Sequence, residues 1–490
     1  MKVIDKNIDS ITLNCSQSNK STMVINSTNC PVGDSIEIKG YPCEQNIFKE
    51  RLDGLAEHFR SKFNTDPELY VRVPGRVNLI GEHVDYCGYS VCPMAINRDI
   101  CIAASTLSGD GEFLKVTNLQ SQYEDSTISS KDFSISAENG WCAYILCGIK
   151  GAMNLLGKKQ PARMLMAISG TIPPGSGLSS SSALVCASLL ATVSLNKMNV
   201  NKNELAEISA TCERYIGTEG GGMDQAIAYF ATKGCAKHIQ FNPIRTLDVK
   251  LPESIVFVIA HSLVTKNKAE SAEFNTRVTE CRLATQILAK QNNLDWTKFL
   301  KIFDLQEALG YNLDQLLDIF SNSLHDGHYT KDEVCKLLDV SPTELEQISL
   351  PPNTRHLTKY LLHPRVMHVV SEAQRVNTWI KLTTSASVSP AELGRLMSQS
   401  HDSMSRLYEA GHPECDKLVE VCISGPGCLG ARITGAGWGG AVVAMTNRNS
   451  LKPFLEHLKS NFYQNFHGSM DQILFSSEPQ QGAELYLTTA

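Results

Sequence analysis

Three short stretches carry residue types that could do chemistry. The first is Pro173-Pro174-Gly175-Ser176-Gly177-Leu178-Ser179-Ser180-Ser181-Ser182-Ala183, which runs straight into an apolar segment of helical character. Glycines let a backbone approach an anion closely, and a helix start offers unpaired N–H groups with a favourable dipole, so this loop suits phosphate. Its serine hydroxyls can add donors to phosphate or an oxygen ligand to Mg²⁺. It is not a Walker A loop, because GxxxxGK[ST] requires a lysine that is missing here. The phosphate charge would then be offset by backbone amides, a metal ion and a remote basic residue. Without a ligand the same residues read as ordinary helix capping.

The second stretch is Arg76-Val77-Asn78-Leu79-Ile80-Gly81-Glu82-His83-Val84-Asp85-Tyr86, in which polar groups crowd beside strand-like apolar residues. A polyol needs several convergent donors and acceptors, because each buried hydroxyl left unpaired costs about 1–3 kcal/mol. Two carboxylates and a histidine within four residues, bent at Gly81, supply them; an exposed charged turn is the plainer reading. The third stretch is Gly217-Thr218-Glu219-Gly220-Gly221-Gly222-Met223-Asp224-Gln225. Three glycines allow something bulky to come near Asp224, which can serve as a general base for a hydroxyl proton. Glu213, eleven residues earlier, is a candidate metal ligand. Gly435-Ala436-Gly437-Trp438-Gly439-Gly440 satisfies GxGxxG literally, but a dinucleotide site needs a helix after the glycines. Here Ala441-Val442-Val443-Ala444-Met445 follows and reads as a strand.

These stretches need elements to position them. Phe48, Leu52, Leu55, Phe59 and Phe63 recur at helical spacing,. Leu69–Val73 reads as a strand ended by Pro74 and Gly75, with a second apolar stretch at 77–80. Helical patterns follow at 143–155, 184–195 and 203–216, the last with a stripe of Leu205, Ile208, Cys212 and Tyr215; 164–168 reads as a strand leading into the serine loop,. The run 255–260 has the character of a buried strand. Residues 270–345 are mostly helical in pattern, with a loop near 323–328. Helices at 366–382 and 391–409 precede a strand–loop–strand unit at 431–446. Mixed elements without regular βα alternation predict an α+β architecture of two lobes. Residues 1–45, rich in Ser, Thr and Asn, are expected to form a poorly ordered extension, with lobes at 46–250 and 251–490.

The 490 residues suggest roughly two to three domains,. The net charge of −6, from 51 acids and 45 bases without a basic block, argues against nucleic acid as a partner,. No apolar signal core or bilayer-spanning run is evident, so the expected location is the cytoplasm, away from membranes. Sixteen cysteines then read as small buried hydrophobes rather than disulfides or zinc ligands,. The sequons at Asn14, Asn19 and Asn26 read as chance matches.

Taken in this order, the stretches resemble the galactokinase branch of the GHMP kinase family. GRVNLIGEHVDYCGYSVCPMAI at 75–96 is similar to its sugar-binding signature, IPPGSGLSSSSAL at 172–184 to its ATP-phosphate loop, and RITGAGWGGAVV at 432–443 to its third motif. ERYIGTEGGGMDQ at 213–225 and SHDSMSRLYEAGHPECDKL at 400–418 extend the similarity, which covers the chain from Phe48 onward. The resemblance implies a mixed-sheet N-terminal lobe, an α+β C-terminal lobe and a site between them. It implies Asp224 as catalytic base with Arg76 beside it, and Glu82, His83 and Asp85 holding sugar hydroxyls. Gly175, Gly177, Ser179, Ser180 and Ser181 would cradle ATP, and Ser179 or Ser180 with Glu213 would ligate Mg²⁺. The implied reaction is phosphoryl transfer to the anomeric hydroxyl of galactose or N-acetylgalactosamine, by an enzyme expected to be a monomer.

CGYSV at 87–91 and YIGTEGGGMDQ at 215–225 resemble the N-acetylgalactosamine kinase subgroup. Phe274 stands where the resemblance places a sugar-contacting tyrosine of galactokinases. A catalytically silent sugar sensor is the competing class. Such relatives lack residues in the phosphate loop, whereas Ser182 and Ala183 leave it full length here.

Overall fold

The computed structural model describes residues 22–23, 35–42, 47–109, 111–129, 133–157, 162–265, 272–385 and 388–488. The three sequons and most of the 1–45 extension lie outside the described residues. Part of that extension is nevertheless ordered. Thr22–Met23 (β1) pairs with Glu37–Gly40 (β2), and β2 runs parallel to the C-terminal strand Glu484–Leu487. Ile36 is buried in the core and Lys39 pairs with Glu484, so apolar burial and an ion pair hold a segment whose composition alone suggests none.

The large sheet continues through Leu69–Asn78 (β3), Pro93–Thr106 (β4), Leu114–Asn118 (β5), Ser126–Ile128 (β6) and Met164–Gly170 (β7). Its spatial order is β1, β2, the C-terminal strand, β3, β4, β7, β5, β6. The N-terminal lobe therefore includes residues 484–487, and the lobe boundary expected from the sequence does not hold at that end. The strand expected to stop at Pro74 instead runs on to Asn78. A register shift between Pro74 and Arg76 bends it, and at such a bulge a proline need not donate to the ladder.

Ile47–Phe63 (α1) buries Leu52, Leu55 and Phe59 against one face of this sheet. Cys142–Leu156 (α2) and Ser180–Leu195 (α3) lie toward the other face, α3 directly on β3 and β4. Helix α3 has no distinct polar face and is buried nearly throughout, as expected of a helix wedged between a sheet and other helices. Lys202–Cys212 (α4), opened by a capping box between Asn201 and Glu204, and Met223–Phe230 (α5) pack against it.

The second sheet is antiparallel: Cys428–Ile433, Ala441–Asn447, Ile255–His261 and Leu474–Ser477, in that order. Phe257 and Ile259 face the core shared with the first lobe, whereas Val258 and Ala260 face the core beneath the second lobe's helices. Two buried faces explain the unbroken apolar run in this strand. Glu273–Gln291 (α6), His363–Thr383 and Pro390–Arg406 are the helices of this lobe that bear on the site. The architecture is α+β in two lobes, as expected. The described cysteines are free and all but Cys428 are buried. No helix among the described residues is long and apolar enough to cross a membrane.

Candidate active site

The bulge in β3 sends the Arg76 side chain into the junction of the lobes, where it is almost fully buried. Its Nε donates to Asp224 Oδ1 at 2.7 Å and its Nη1 to the Gly177 carbonyl at 2.6 Å. One guanidinium thus ties the first turn of α5 to the phosphate-type loop. The other Asp224 oxygen, Oδ2, lies 3.4 Å from Ser182 Oγ, which donates to Glu213 Oε1 at 2.6 Å. The family resemblance implied Arg76 beside Asp224, and the structure brings the two side chains together.

The loop serines divide differently from the sequence expectation. Ser179 takes a left-handed conformation (φ 63°) just before α3, and its buried Oγ has no hydrogen-bond partner among the described residues. The serine that meets Glu213 is Ser182, one turn into α3, rather than Ser179 or Ser180. Sequence reasoning used Ser182 only as a measure of loop length. The missed signal was geometric, since a residue in the first turn of α3 faces the helix that ends at Glu213. Gly175, Gly177, Ser179, Ser180 and Ser181 line a cleft of about 620 Å³, together with Glu213, Tyr123, Trp141, Tyr144 and Tyr215. A Cβ on Gly177 (φ 75°) would stand 3.0 Å from the Thr434 carbonyl, so the third motif presses directly on this loop.

Beyond Arg76 lies a narrow pocket lined by Glu82, His83, Asp85, Asp224 and Phe274. Glu82 Oε1 accepts from the Gly435 N–H at 3.1 Å, and Oε2 faces Arg432 at 3.2 Å. Burial pushes the Glu82 carboxyl up to about 7, against the pull of Arg432 and Arg76. Asp85 Oδ2 accepts from the Met223 N–H at 3.3 Å, at the start of α5. The glycine run that opens α5 serves this contact. A Cβ on Gly221 would lie 2.2 Å from the Tyr86 nitrogen and 2.5 Å from Asp85 Cγ, so the bulky neighbour it admits is the protein's own backbone.

His83 also lines this pocket, with both ring nitrogens turned toward the protein. Its Nε2 lies 2.8 Å from the Ala436 carbonyl and its Nδ1 2.9 Å from the Tyr86 hydroxyl, which in turn meets the Tyr408 hydroxyl. A carbonyl only accepts, so Nε2 carries the proton, and in the neutral ring Nδ1 accepts from Tyr86. Both nitrogens are engaged within the protein. The ring, packed against Phe274, Tyr408 and Trp438, acts as a wall of the pocket. Phe274 opens α6 and is buried against His83 and Tyr86.

The GxGxxG loop spans two antiparallel strands, Cys428–Ile433 and Ala441–Asn447, with no helix behind it, which removes the dinucleotide reading. Its glycines instead let residues 435–440 touch both the phosphate-type loop and Glu82.

The chain matches three family descriptions: Galactokinase galactose-binding signature over residues 57–106, GHMP kinases N terminal domain over 144–232, and GHMP kinases C terminal over 386–464. It is 37% identical over 448 residues to a galactokinase of Dictyostelium discoideum, spanning 85% of this chain and 89% of that one. Against a galactokinase of Saccharomyces cerevisiae it is 30% identical over 505 residues, spanning 89% and 95%. The fold matches the crystal structure of Lactococcus lactis galactokinase complexed with galactose, with a TM-score of 0.70 and 23% identity over 88% of this chain and 99% of that one. The Methanococcus jannaschii mevalonate kinase matches less closely, with a TM-score of 0.53 and 16% identity over 84% and 99%. The chain therefore belongs to the GHMP kinase family, in its galactokinase branch.

Proposed function

We propose that the protein is an ATP-dependent sugar-1-kinase that moves the γ-phosphoryl group of ATP to the anomeric hydroxyl of galactose or N-acetylgalactosamine. The observation that carries this reading is the buried Arg76–Asp224 pair in the narrow pocket, which shares Glu213 and Thr218 with the larger cleft. A hydroxyl beside Asp224 would lie on the path from sugar to phosphate. As the new P–O bond forms, the bond from the γ-phosphorus to the bridging oxygen of ADP breaks, and the hydroxyl proton passes to Asp224. Arg76 offsets negative charge that grows in a loose transition state.

Glu82 and Asp85 supply acceptors for sugar hydroxyls, and Phe274 with the His83 ring supplies an apolar wall. The orphaned Ser179 hydroxyl and the backbone of 175–181 are suited to the phosphates. Ser182 and Glu213 offer only oxygen donors, which fits Mg²⁺,; when bound it neutralises phosphate charge. We assign the enzyme to the cytoplasm, supported by its buried free thiols, and expect it to work as a monomer. The relatives named galactokinase favour galactose. Phe274, which brings no hydroxyl to the pocket, leaves N-acetylgalactosamine as a substrate to be tested beside it.

The test is ATP-dependent turnover of both sugars, with Asp224→Ala as the control. Turnover that vanishes in the control supports the kinase, and the ratio of kcat/KM values identifies the sugar. Tight binding of sugar and ATP without turnover of either would replace the kinase with a sensor.

A further inference from the structure

Glu372, on the helix His363–Thr383 of the second lobe, is a fully buried carboxylate with no part in the chemistry above. Its Oε1 accepts from the backbone N–H groups of Gly81 at 2.8 Å and Glu82 at 3.1 Å, and from Ser400 Oγ at 2.5 Å. Its Oε2 accepts from Arg375 Nε at 2.6 Å. Burial alone would push this carboxyl up, but Arg375 and Arg432 outweigh it and hold it far below the usual carboxylate range.

One turn earlier on the same helix, His368 Nε2 lies 3.1 Å from the Glu82 carbonyl and Nδ1 lies 2.8 Å from Ser403 Oγ. Burial lowers this imidazole to about 4, so it is neutral at pH 7. The carbonyl can only accept, which puts the proton on Nε2 and makes Nδ1 the acceptor from Ser403. Both the N–H and the C=O of Glu82 are thus held from one helix, while its carboxylate is held by Arg432 and Gly435.

Taking a carboxylate and an arginine out of water is costly, and a well-packed apolar pair would join this helix to the loop at least as stably. Convergence of four donors on Glu372 therefore points to placement rather than to stability. We propose that Glu372 and His368 are positioning residues that fix the Glu82 peptide, and through it the Glu82 carboxylate, for sugar binding. This rests on the reading above that Glu82 holds a sugar hydroxyl.

The test is steady-state kinetics of the full chain, with the faster of the two sugars varied at saturating ATP and then ATP varied at saturating sugar. Glu372→Gln and His368→Leu are each expected to raise the sugar KM about tenfold, the scale of one lost hydrogen bond. The ATP KM should stay within about twofold, because the phosphate cleft is built from other elements. His368→Gln, which can still donate to the Glu82 carbonyl and accept from Ser403, should recover most of the loss. Should Glu372→Gln not fold, the His368 pair carries the test. A sugar KM unchanged in the folded variants, sugar and ATP KM rising together, or no recovery in His368→Gln would overturn the proposal. Glu82→Gln separates the two readings. If it leaves the sugar KM unchanged, the assignment of Glu82 to the sugar fails and this proposal with it. If it is impaired while the Glu372 and His368 variants are normal, only the positioning role fails.

Discussion

The Arg76–Asp224 pair couples stability to catalysis in a way that can be taken apart. Arg76 is almost fully buried and Asp224 nearly so, and their contact is 2.7 Å. Removing either partner leaves an uncompensated buried charge, which costs about 3–5 kcal/mol for such pairs. Arg76→Met also strips the Gly177 carbonyl of its donor. Each single variant should therefore melt well below the parent. The double variant Arg76→Met/Asp224→Ala removes both charges, and it should melt no lower than the worse single variant. Turnover behaves otherwise. With Asp224 as the proposed acceptor of the hydroxyl proton, its loss is expected to cost about a thousandfold or more in kcat, since base and electrostatic contributions are lost together. The double variant should show no recovery of activity. Differential scanning calorimetry and a coupled ADP-release assay on the same preparations read both quantities. Additive losses in melting temperature across the cycle would refute the energetic pairing, and near-normal kcat in Asp224→Ala would refute its catalytic role.

Three further outcomes follow from the same geometry. Glu82 is pushed up to about 7 by burial, and its ionised form is the better acceptor for a hydroxyl; kcat/KM for the sugar should thus fall as pH drops through about 7, and Glu82→Gln should abolish that limb. Ser182→Ala removes the hydroxyl that meets Glu213 and should raise the Mg²⁺ concentration for half-maximal rate about tenfold, read by metal titration at fixed ATP. Gly221→Ala places a Cβ 2.2 Å from the Tyr86 nitrogen. It must displace the Asp85–Tyr86 backbone and should weaken sugar binding, measured by calorimetric titration without nucleotide, while ATP binding is retained.

The candidate site residues lie in short motifs, and that is why they could be picked out from the sequence. A glycine-serine loop before an apolar helix, and glycines before Asp224, have local physical meanings that need no tertiary knowledge. Amphipathic spacing likewise located α1 and α4 within a few residues. What periodicity could not locate were features decided at a distance. The strand at Glu484–Leu487 joins the first lobe because its neighbours β2 and β3 offer free edges, and nothing in those four residues announces it. The bulge that aims Arg76 looked from the sequence like the end of a strand, because Pro74 breaks a ladder unless the register shifts. That Ser182 rather than Ser179 faces Glu213 depends on where α3 begins and how it packs on α4. Glu372 and His368 carry no motif at all; they gain meaning only because a helix almost three hundred residues away in sequence is folded onto the Glu82 peptide. The sequence by itself determined which chemical groups are present and the family whose loops they build. Tertiary structure alone decided which of those groups face one another, because hydrogen bonding and charge compensation act across angstroms and take no account of separation along the chain.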